Sequence, residues 1–428
     1  MKRLIVLIAL VSALAASGAA RAVAQVNPAF SANNLLVLFQ DGLGGDALKG
    51  FTPAFAAVPG GFNVDIAGGT SPCFLPLPDG HLLVCGGDAI REYDPDGTLV
   101  RTLDIPDCTG MALGPNGLLY VTTGQDIVAV DLESEEIVRA LDVADGTNPC
   151  FTPAGDLMLL RATGQDVLVP VPDPVTGEIG FELVPEIEVL VLDPADGVVL
   201  DQAVIPAATG MTVDPVGRVY VATSIGGLVV LDGGLERLDV IALAQAGVGP
   251  CFLPNGNLGV LFRDAGRFAE IDPATGVEVA SFAVPGAASV GVMPHLFAVT
   301  LKGKLNGDAK IKESGMLLLR PGSGQMVLAL SDLPQDELAG LIGAPALLLP
   351  GFEGTEDPLA AKRAFAGLQV TRAAGRTTLG ALDLVAKGFA GTADYYSVKK
   401  IKSARFQVMA PGAVVGGTLK GKLLNPPL

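Results

Sequence analysis

The stretch LPDGHLLVCGGDAIREYDPDG, Leu77 to Gly97, contains the two signals that decide the fold. It begins with a Pro-x-Gly type turn followed by an apolar strand, and it ends with an apolar run that stops at Asp94 before a second turn. The second signal recurs downstream at intervals of 37, 62, 39 and 40 residues, at Asp131, Asp193, Asp232 and Asp272. The chain is therefore an array of similar units rather than one irregular domain.

The one long interval contains Val169 to Glu188, which we interpret as an insertion of about 20 residues, so that the underlying period is near 40. About four short strands in each such period are typical of a β-propeller. Five units are plain, and a sixth is expected to form from both ends of the array. Ala288 to Leu301 would supply its inner strands, and Asn34 to Gly42 with Phe62 to Ile66 its outer ones. We predict six blades, with seven as the alternative.

The repeat that reads PNGLLYV and then IVAVD, between Pro115 and Asp131, resembles the repeats of NHL, YVTN and SMP-30/gluconolactonase-like propellers. The resemblance covers about Asn34 to Leu301. It implies a propeller of a superfamily that contains secreted and periplasmic binding proteins and hydrolases. Because its motifs are turns and strands, it is informative about fold and says little about function.

The two ends of the chain differ in character. Residues 1–24 have a basic start, an apolar run and an Ala22-Val23-Ala24 cleavage pattern, which predict a signal peptide and a secreted, periplasmic or cell-surface protein. Residues 25–294 carry 9 Lys+Arg against 35 Asp+Glu, whereas residues 295–428 carry 16 against 10. This asymmetry predicts two domains, at 25–299 and 300–428. The acidic part argues against nucleic-acid binding, and we expect no membrane insertion.

The C-terminal region contains TLKGKL twice, at Thr300 to Leu305 and at Thr418 to Leu423. Alternating Leu and Lys predicts half-buried strands, and the two copies are expected to be equivalent edge or closure strands of a small β-barrel or β-sandwich. Two short helices are expected, one after Ser331 and Asp332 and one near Asp357. The fold class is thus all-β, a propeller followed by this second β domain. The basic face of that domain is a candidate for contact with the acidic propeller of the same chain.

The innermost strands carry the candidate binding residues. PCF occurs at Cys73, Cys150 and Cys251, in alternation with TGM at Thr109 and Thr209, and VGV follows at 290–292. Cysteines in alternate blades are too far apart to form disulfides with each other. They are either small buried hydrophobic residues or thiolate ligands of zinc or copper(I). Among the five cysteines, the pair most open to bridging is Cys85 with Cys108.

Other chemistry is sparse. Asp107 and Asn148 are weak candidates for metal binding, and calcium is the one cofactor that they suggest. The two histidines, His81 and His295, are not placed for acid-base work at the inner strands. The sequence therefore favours an exported non-enzymatic binding or scaffold protein that recognises a small ligand or a protein through its propeller. The alternative, implied by the resemblance, is a calcium-dependent lactonase or esterase of the SMP-30 type.

Overall fold

A computed structural model describes residues 27–40, 46–66, 73–77, 80–86, 88–114, 118–132, 134–152, 155–172, 179–214, 217–253, 255–305, 309–320, 325–330, 370–373, 376–379, 400–410 and 413–425. Within these residues, six four-stranded antiparallel sheets form the blades of a β-propeller, so six blades is confirmed and seven is wrong. The first helical turn is a 3-10 helix at Pro28–Phe30, and β1 (Leu35–Phe39), β2 (Ala47–Phe51) and β3 (Ala57–Asn63) follow it.

The next five blades each use four consecutive strands, and the first strand of each contacts the first strand of its neighbour around the axis. Their bounds are as follows: blade I, β4 (Cys73–Pro76), β5 (Leu82–Gly86), β6 (Ala89–Tyr93), β7 (Leu99–Leu103); blade II, β8 (Gly110–Leu113), β9 (Leu119–Thr122), β10 (Ile127–Asp131), β11 (Glu136–Leu141); blade III, β12 (Gly146–Phe151), β13 (Leu157–Pro172), β14 (Ile179–Leu192), β15 (Val199–Val204); blade IV, β16 (Ala208–Val213), β17 (Val219–Thr223), β18 (Gly227–Leu231), β19 (Arg237–Ala242); blade V, β20 (Val248–Phe252), β21 (Leu258–Phe262), β22 (Arg267–Ile271), β23 (Glu278–Ala283).

Blade VI closes the ring with strands from both ends of the propeller, in the order β24, β1, β2, β3, where β24 is Ala287–Val292. In this ladder Leu36 lies opposite Gly291. The expected inner segment, 288–301, is wrong beyond β24, because β25 (His295–Leu305) enters a different sheet. Pro294 separates the two strands and has no backbone N–H to donate to a ladder.

The core is a ring of apolar clusters that lie between neighbouring blades. The middle strands β5, β10, β17 and β21 are buried at every position, whereas the outer strands β7, β11, β19 and β23 are mostly exposed. A blade is covered on both faces, so its middle strands read as continuous apolar runs rather than alternating ones. This accounts for the mean hydropathy of +0.49 in a chain whose described residues include no helix that is long and apolar enough to cross a membrane.

A second sheet follows the propeller, with β26 (Ala309–Arg320), β27 (Gln325–Leu330), β28 (Val370–Ala373), β29 (Arg376–Leu379), β30 (Lys400–Ala410) and β31 (Ala413–Leu423). Its order is β28, β29, β27, β26, β25, β31, β30. The two TLKGKL copies lie side by side, with Leu301 opposite Leu419, so they are central strands and not edges as expected. Their shared sequence places equivalent residues around a local two-fold axis.

Several expectations are not tested by these strands. The expected domain boundary at 299 and 300 falls inside β25, which pairs with β26 along its whole length. The signal peptide and both expected helices lie outside the described residues. Whether the C-terminal sheet closes into a barrel or packs as a sandwich stays a prediction.

The end of the second sheet is attached to the seam of the propeller by Asn425. Its side-chain Nδ2 donates to the carbonyl oxygens of Phe30 (3.1 Å) and Pro294 (3.0 Å), and its Oδ1 accepts from the backbone N–H of Leu296 (2.9 Å). Its own carbonyl oxygen accepts from the N–H of Ala32 at 2.9 Å. One buried residue therefore connects both ends of the ring to the C-terminal strand.

We expect Asn425→Ala to lower the free energy of unfolding by about 2–4 kcal/mol, because it leaves several buried backbone groups without partners. The measurement is urea unfolding followed by circular dichroism. Lys422→Ala, at an exposed position near the end of β31, is the control and should change stability by less than ~0.5 kcal/mol. Equal effects of the two substitutions would show that the Asn425 bonds do not stabilise the seam.

Candidate functional site

The alternation of TGM and PCF has a steric cause. A Cβ atom at Gly110 would lie 2.4 Å from Cδ of Pro149 in the next blade, and one at Gly210 would lie 3.1 Å from Cδ of Pro250. At the remaining contact, a Cβ at Gly291 would lie 3.2 Å from a ring carbon of Phe74. The glycine of one blade thus leaves the space that the PCF strand of the next blade occupies. The two-blade repeat is a packing unit.

The two candidate threonines connect the same pairs of blades. Thr109 Oγ1 donates to the carbonyl oxygen of Gly146 at 2.8 Å, and Thr209 Oγ1 donates to that of Gly247 at 2.6 Å. Each acceptor lies just ahead of the PCF tripeptide in the following blade. Because a hydroxyl has one proton to donate, these bonds leave neither threonine as a donor to a ligand.

The PCF cysteines occupy innermost strands, in β4, β12 and β20, as the repeat predicted. All three are free thiols, and they pack against three different apolar clusters. Burial raises the pKa of Cys73, Cys150 and Cys251 to about 12. Such thiols are protonated at neutral pH, and this environment favours a packing role for these half-buried side chains over that of a thiolate ligand.

Cys85 and Cys108, which the sequence marks only as the pair most open to bridging, form a disulfide with their Cα atoms 6.1 Å apart. The bond joins β5 of blade I to the residues that precede β8 of blade II. Cys73 lies directly opposite Cys85 in the ladder. Among the described residues, the group with three mutually close metal-ligand atoms is Cys73, Cys85 and Cys108, within 4.8 Å of one another. Cys150 and Cys251 do not belong to it.

Sequence reasoning missed this cluster of three sulfurs, although a signal for it was present. Cys73 and Cys85 are equally distant from the turn residue Asp79, so a symmetric hairpin places them opposite each other. The third thiol could in principle exchange with the disulfide. Its raised pKa, caused by burial, keeps it protonated and makes that exchange slow.

The weak metal candidates are dispersed. Asp107 is exposed with a left-handed φ of 56°, ahead of β8, and Asn148 has a φ of 51° within the bulged strand β12. The Asp turns cap their own backbone: Oδ1 of Asp94 accepts from the N–H groups of Asp96 and Thr98, both at 2.9 Å. This use of the carboxylate favours the turn interpretation over calcium binding.

A buried charged network between blades I and II was also missed. Nδ1 of His81 lies 2.5 Å from Oε1 of Glu92, and Arg101 Nε donates to Oε2 of the same carboxylate at 2.5 Å. Arg101 continues to Glu135 of blade II at 3.1 Å. Burial alone would raise the pKa of Glu92, but the hydrogen bonds from His81 and Arg101 outweigh it and hold the pKa below its usual value. The network lies away from the inner strands, and Arg101 connects the two blades through Glu135.

No family model and no curated protein matches the chain. It is similar to solved structures, one of them a protein of unknown function from Bacteroides caccae, at 14% identity and a TM-score of 0.38 over 61% of this chain and 85% of that one. Another is a nidogen/laminin complex, at 14% identity and a TM-score of 0.47 over 61% of this chain and 98% of that one. Its own sheet topology makes the chain a six-bladed β-propeller with a second β-sheet.

We expect Gly110→Ala to destabilise the propeller by about 1–3 kcal/mol, because the added methyl must displace Pro149 from a close-packed contact. Gly124→Ala is the matched control, since a Cβ there meets no atom within 4 Å. Thermal unfolding by differential scanning calorimetry checks both variants. If Gly110→Ala unfolds at the same temperature as the wild type, the steric explanation of the two-blade repeat is incorrect.

The three PCF thiols should resist alkylation in the folded protein, because burial raises their pKa to about 12. With iodoacetamide at about pH 8, where an ordinary thiol reacts, we expect no adduct on the native chain. Denaturation without reductant should give three adducts, and denaturation with reductant five. Intact mass measures the adducts. Rapid native labelling, or stoichiometric zinc or copper in elemental analysis of the same sample, would contradict a purely packing role.

Proposed function

We propose that this chain is an exported, non-enzymatic binding or scaffold module whose propeller presents a surface to a partner protein, without a cofactor. The fold is consistent with such a role, and the repeat resemblance to NHL, YVTN and SMP-30-like propellers supports membership of that superfamily. The observation that carries the proposal is the long hairpin of blade III, made by β13 and β14. The insertion expected at Val169 to Glu188 corresponds to the distal part of this hairpin.

The hairpin extends beyond its blade as a two-stranded arm. The neighbouring strand β12 pairs with β13 up to Arg161, and β15 pairs with β14 only from Glu188 onward. From there β13 and β14 pair with each other as far as Pro172 opposite Ile179. The arm from Asp166 to Pro172 covers six residue steps, about 20 Å. Two-stranded ribbons are marginally stable alone, so packing against a partner would stabilise the arm.

One face of the arm is apolar and exposed. Leu168 lies opposite Leu183, and Pro170 lies opposite Phe181. Leu168, Phe181 and Leu183 are 63%, 69% and 62% exposed, although neighbouring Val184 on the other face is buried. Asp166, where the arm begins, is the one charged residue among the paired residues on this face. A protein surface of apolar character is therefore the partner that the rest of the face, with Leu168, Phe181 and Leu183, fits best.

The edges of the arm are less suited to binding. Pro170 and Pro185 lack backbone N–H groups, and Asp166 and Glu182 add exposed carboxylates. These features discourage addition of a further strand by backbone hydrogen bonding. The partner would therefore contact the face of the arm and not extend its sheet.

The inner-strand residues give no support to the lactonase alternative. The threonine hydroxyls bond to adjacent blades, and the thiols are protonated by burial. Asp107 lies in the turn between β7 and β8, Asn148 lies in β12 of blade III, and neither belongs to the three-ligand group found among the described residues. Catalysis would need an acid, base or nucleophile within reach of one substrate, and the residues at these positions do not supply such a group at one place.

The test places a photoreactive benzoylphenylalanine at Phe181 in the full chain, expressed with its leader in a host that exports it. We expect a discrete protein adduct that disappears when Leu183→Ser is added. The same group at Ile137, 55% exposed on the outer strand of blade II, is the matched control and should give none. The proposal fails if the two positions give the same adducts, if Phe181 gives none, or if the purified chain hydrolyses lactones with stoichiometric calcium.

A further inference from the structure

The second sheet has an unusual distribution of charge. In the strand residues that the structure describes there, Glu313 of β26 is the one carboxylate. Four adjacent strands, β26, β25, β31 and β30, each carry at least two Lys or Arg residues. The acidic propeller that precedes this sheet therefore ends next to a strongly basic surface.

The strand register places these cations on one face. Directly paired residues share a face of a sheet, and neighbours along a strand alternate between faces. Lys302 pairs with Lys312 and with Thr418, whereas Glu313 pairs with Leu301 on the opposite face. The register puts the following residues on the face of Lys302, which we call the lysine face: Lys304, Lys310, Lys312, Lys400, Arg405, Lys420 and Lys422. The side chains of Lys302, Lys420 and Lys422 are exposed, and Gly421 and Leu423 between and beside them are buried.

The lysine face contains like charges in direct opposition. Lys302 is opposite Lys312, Lys304 is opposite Lys310, and Lys400 is opposite Lys422. Like charges at directly paired positions destabilise a sheet. A bound polyanion would remove this repulsion, and a sequence that departs from a local folding rule in this way indicates a binding surface.

The cations follow a diagonal across the sheet. They begin at Lys310 and Lys304, continue through Lys302 and Lys420, and end at Lys400. With strands about 4.8 Å apart and a rise of about 3.3 Å per residue, this track is about 25 Å long. An extended polymer fits such a narrow track better than a globular acidic protein does.

We propose that the lysine face binds a linear anionic polysaccharide, with its carboxylate or sulfate groups on the lysine ammonium groups. The other residues that the register puts on this part of the face include Thr300, Ser314 and Thr418, and hydroxyl residues suit a hydroxyl-rich chain. No aromatic residue stands among them for base stacking, which single-stranded nucleic acid would use. The negative charge of the propeller is screened beyond about 8 Å at physiological ionic strength, so it does not cancel this face.

The test uses the full chain and two probes, polygalacturonate and uncharged dextran, in calorimetric titrations at about 50 and 300 mM salt. We expect polygalacturonate to bind, dextran not to bind, and the affinity to fall with salt. Lys302→Gln with Lys420→Gln should weaken binding about tenfold or more. Lys49→Gln with Arg237→Gln removes two exposed cations outside the lysine face and is the matched control, which should bind like the wild type.

Four results would overturn the proposal. The first is no binding of polygalacturonate at the lower salt concentration, and the second is an equal loss in the control variant. The third is that vesicles with anionic lipid bind while polygalacturonate does not. The fourth is that salt-sensitive self-association seen by light scattering disappears in the Lys302 and Lys420 variant without polysaccharide binding. The last case would assign the face to the acidic propeller of a second copy. None of these results depends on the arm of blade III.

Discussion

The pairing of β24 with β1 is the contact on which the propeller depends, because the apolar clusters between blades are covered only in a closed ring. The paired residues of these two strands are about 250 positions apart in sequence, so a single ladder must offset the entropy cost of closing this long loop. At one end of this ladder, the backbone N–H of Met293 donates to the carbonyl oxygen of Asn34 at 2.8 Å. Asn425 adds bonds to both ends at the same seam. The C-terminal strand thus contributes to closure although it belongs to another sheet.

Closure also requires that six blades fit around one axis without gaps, and the alternating tripeptides show how this sequence meets that requirement. A glycine at Gly110 or Gly210 accepts the proline of the following blade, and a threonine hydroxyl connects the same two blades. Small and large residues must alternate for such a fit, so the ring repeats every two blades. The inner strands therefore show residue types chosen for complementarity between blades, and the recurrence of cysteine there does not imply shared chemistry.

Much of this architecture could be predicted because period and turn chemistry are local properties. The Asp turns and the insertion in blade III follow from spacing along the chain, whereas the bridge between Cys85 and Cys108 could be named only as the most open pairing. The exit of β25 and the adjacency of the two TLKGKL strands do not, since they depend on which distant strand pairs at the seam. The same limit applies to His81 and Glu92. Their contact depends on side-chain directions across a hairpin, and periodicity alone does not reveal that they meet a cation from the next strand.

Two surfaces of this chain lower its stability, each for a different physical reason. The arm of blade III keeps Phe181 and Leu183 in water, and the second sheet sets Lys302 against Lys312 with no carboxylate on the same face among its described strand residues. Neither feature helps the ring to close, because the arm extends beyond its blade and the lysines lie on another sheet. Binding at the apolar face would be driven by removal of water, and binding at the lysine face by neutralisation of its positive charge. One partner would therefore not suit both faces. On the function proposed above, a propeller with two such surfaces would act as a scaffold that holds two unlike partners together.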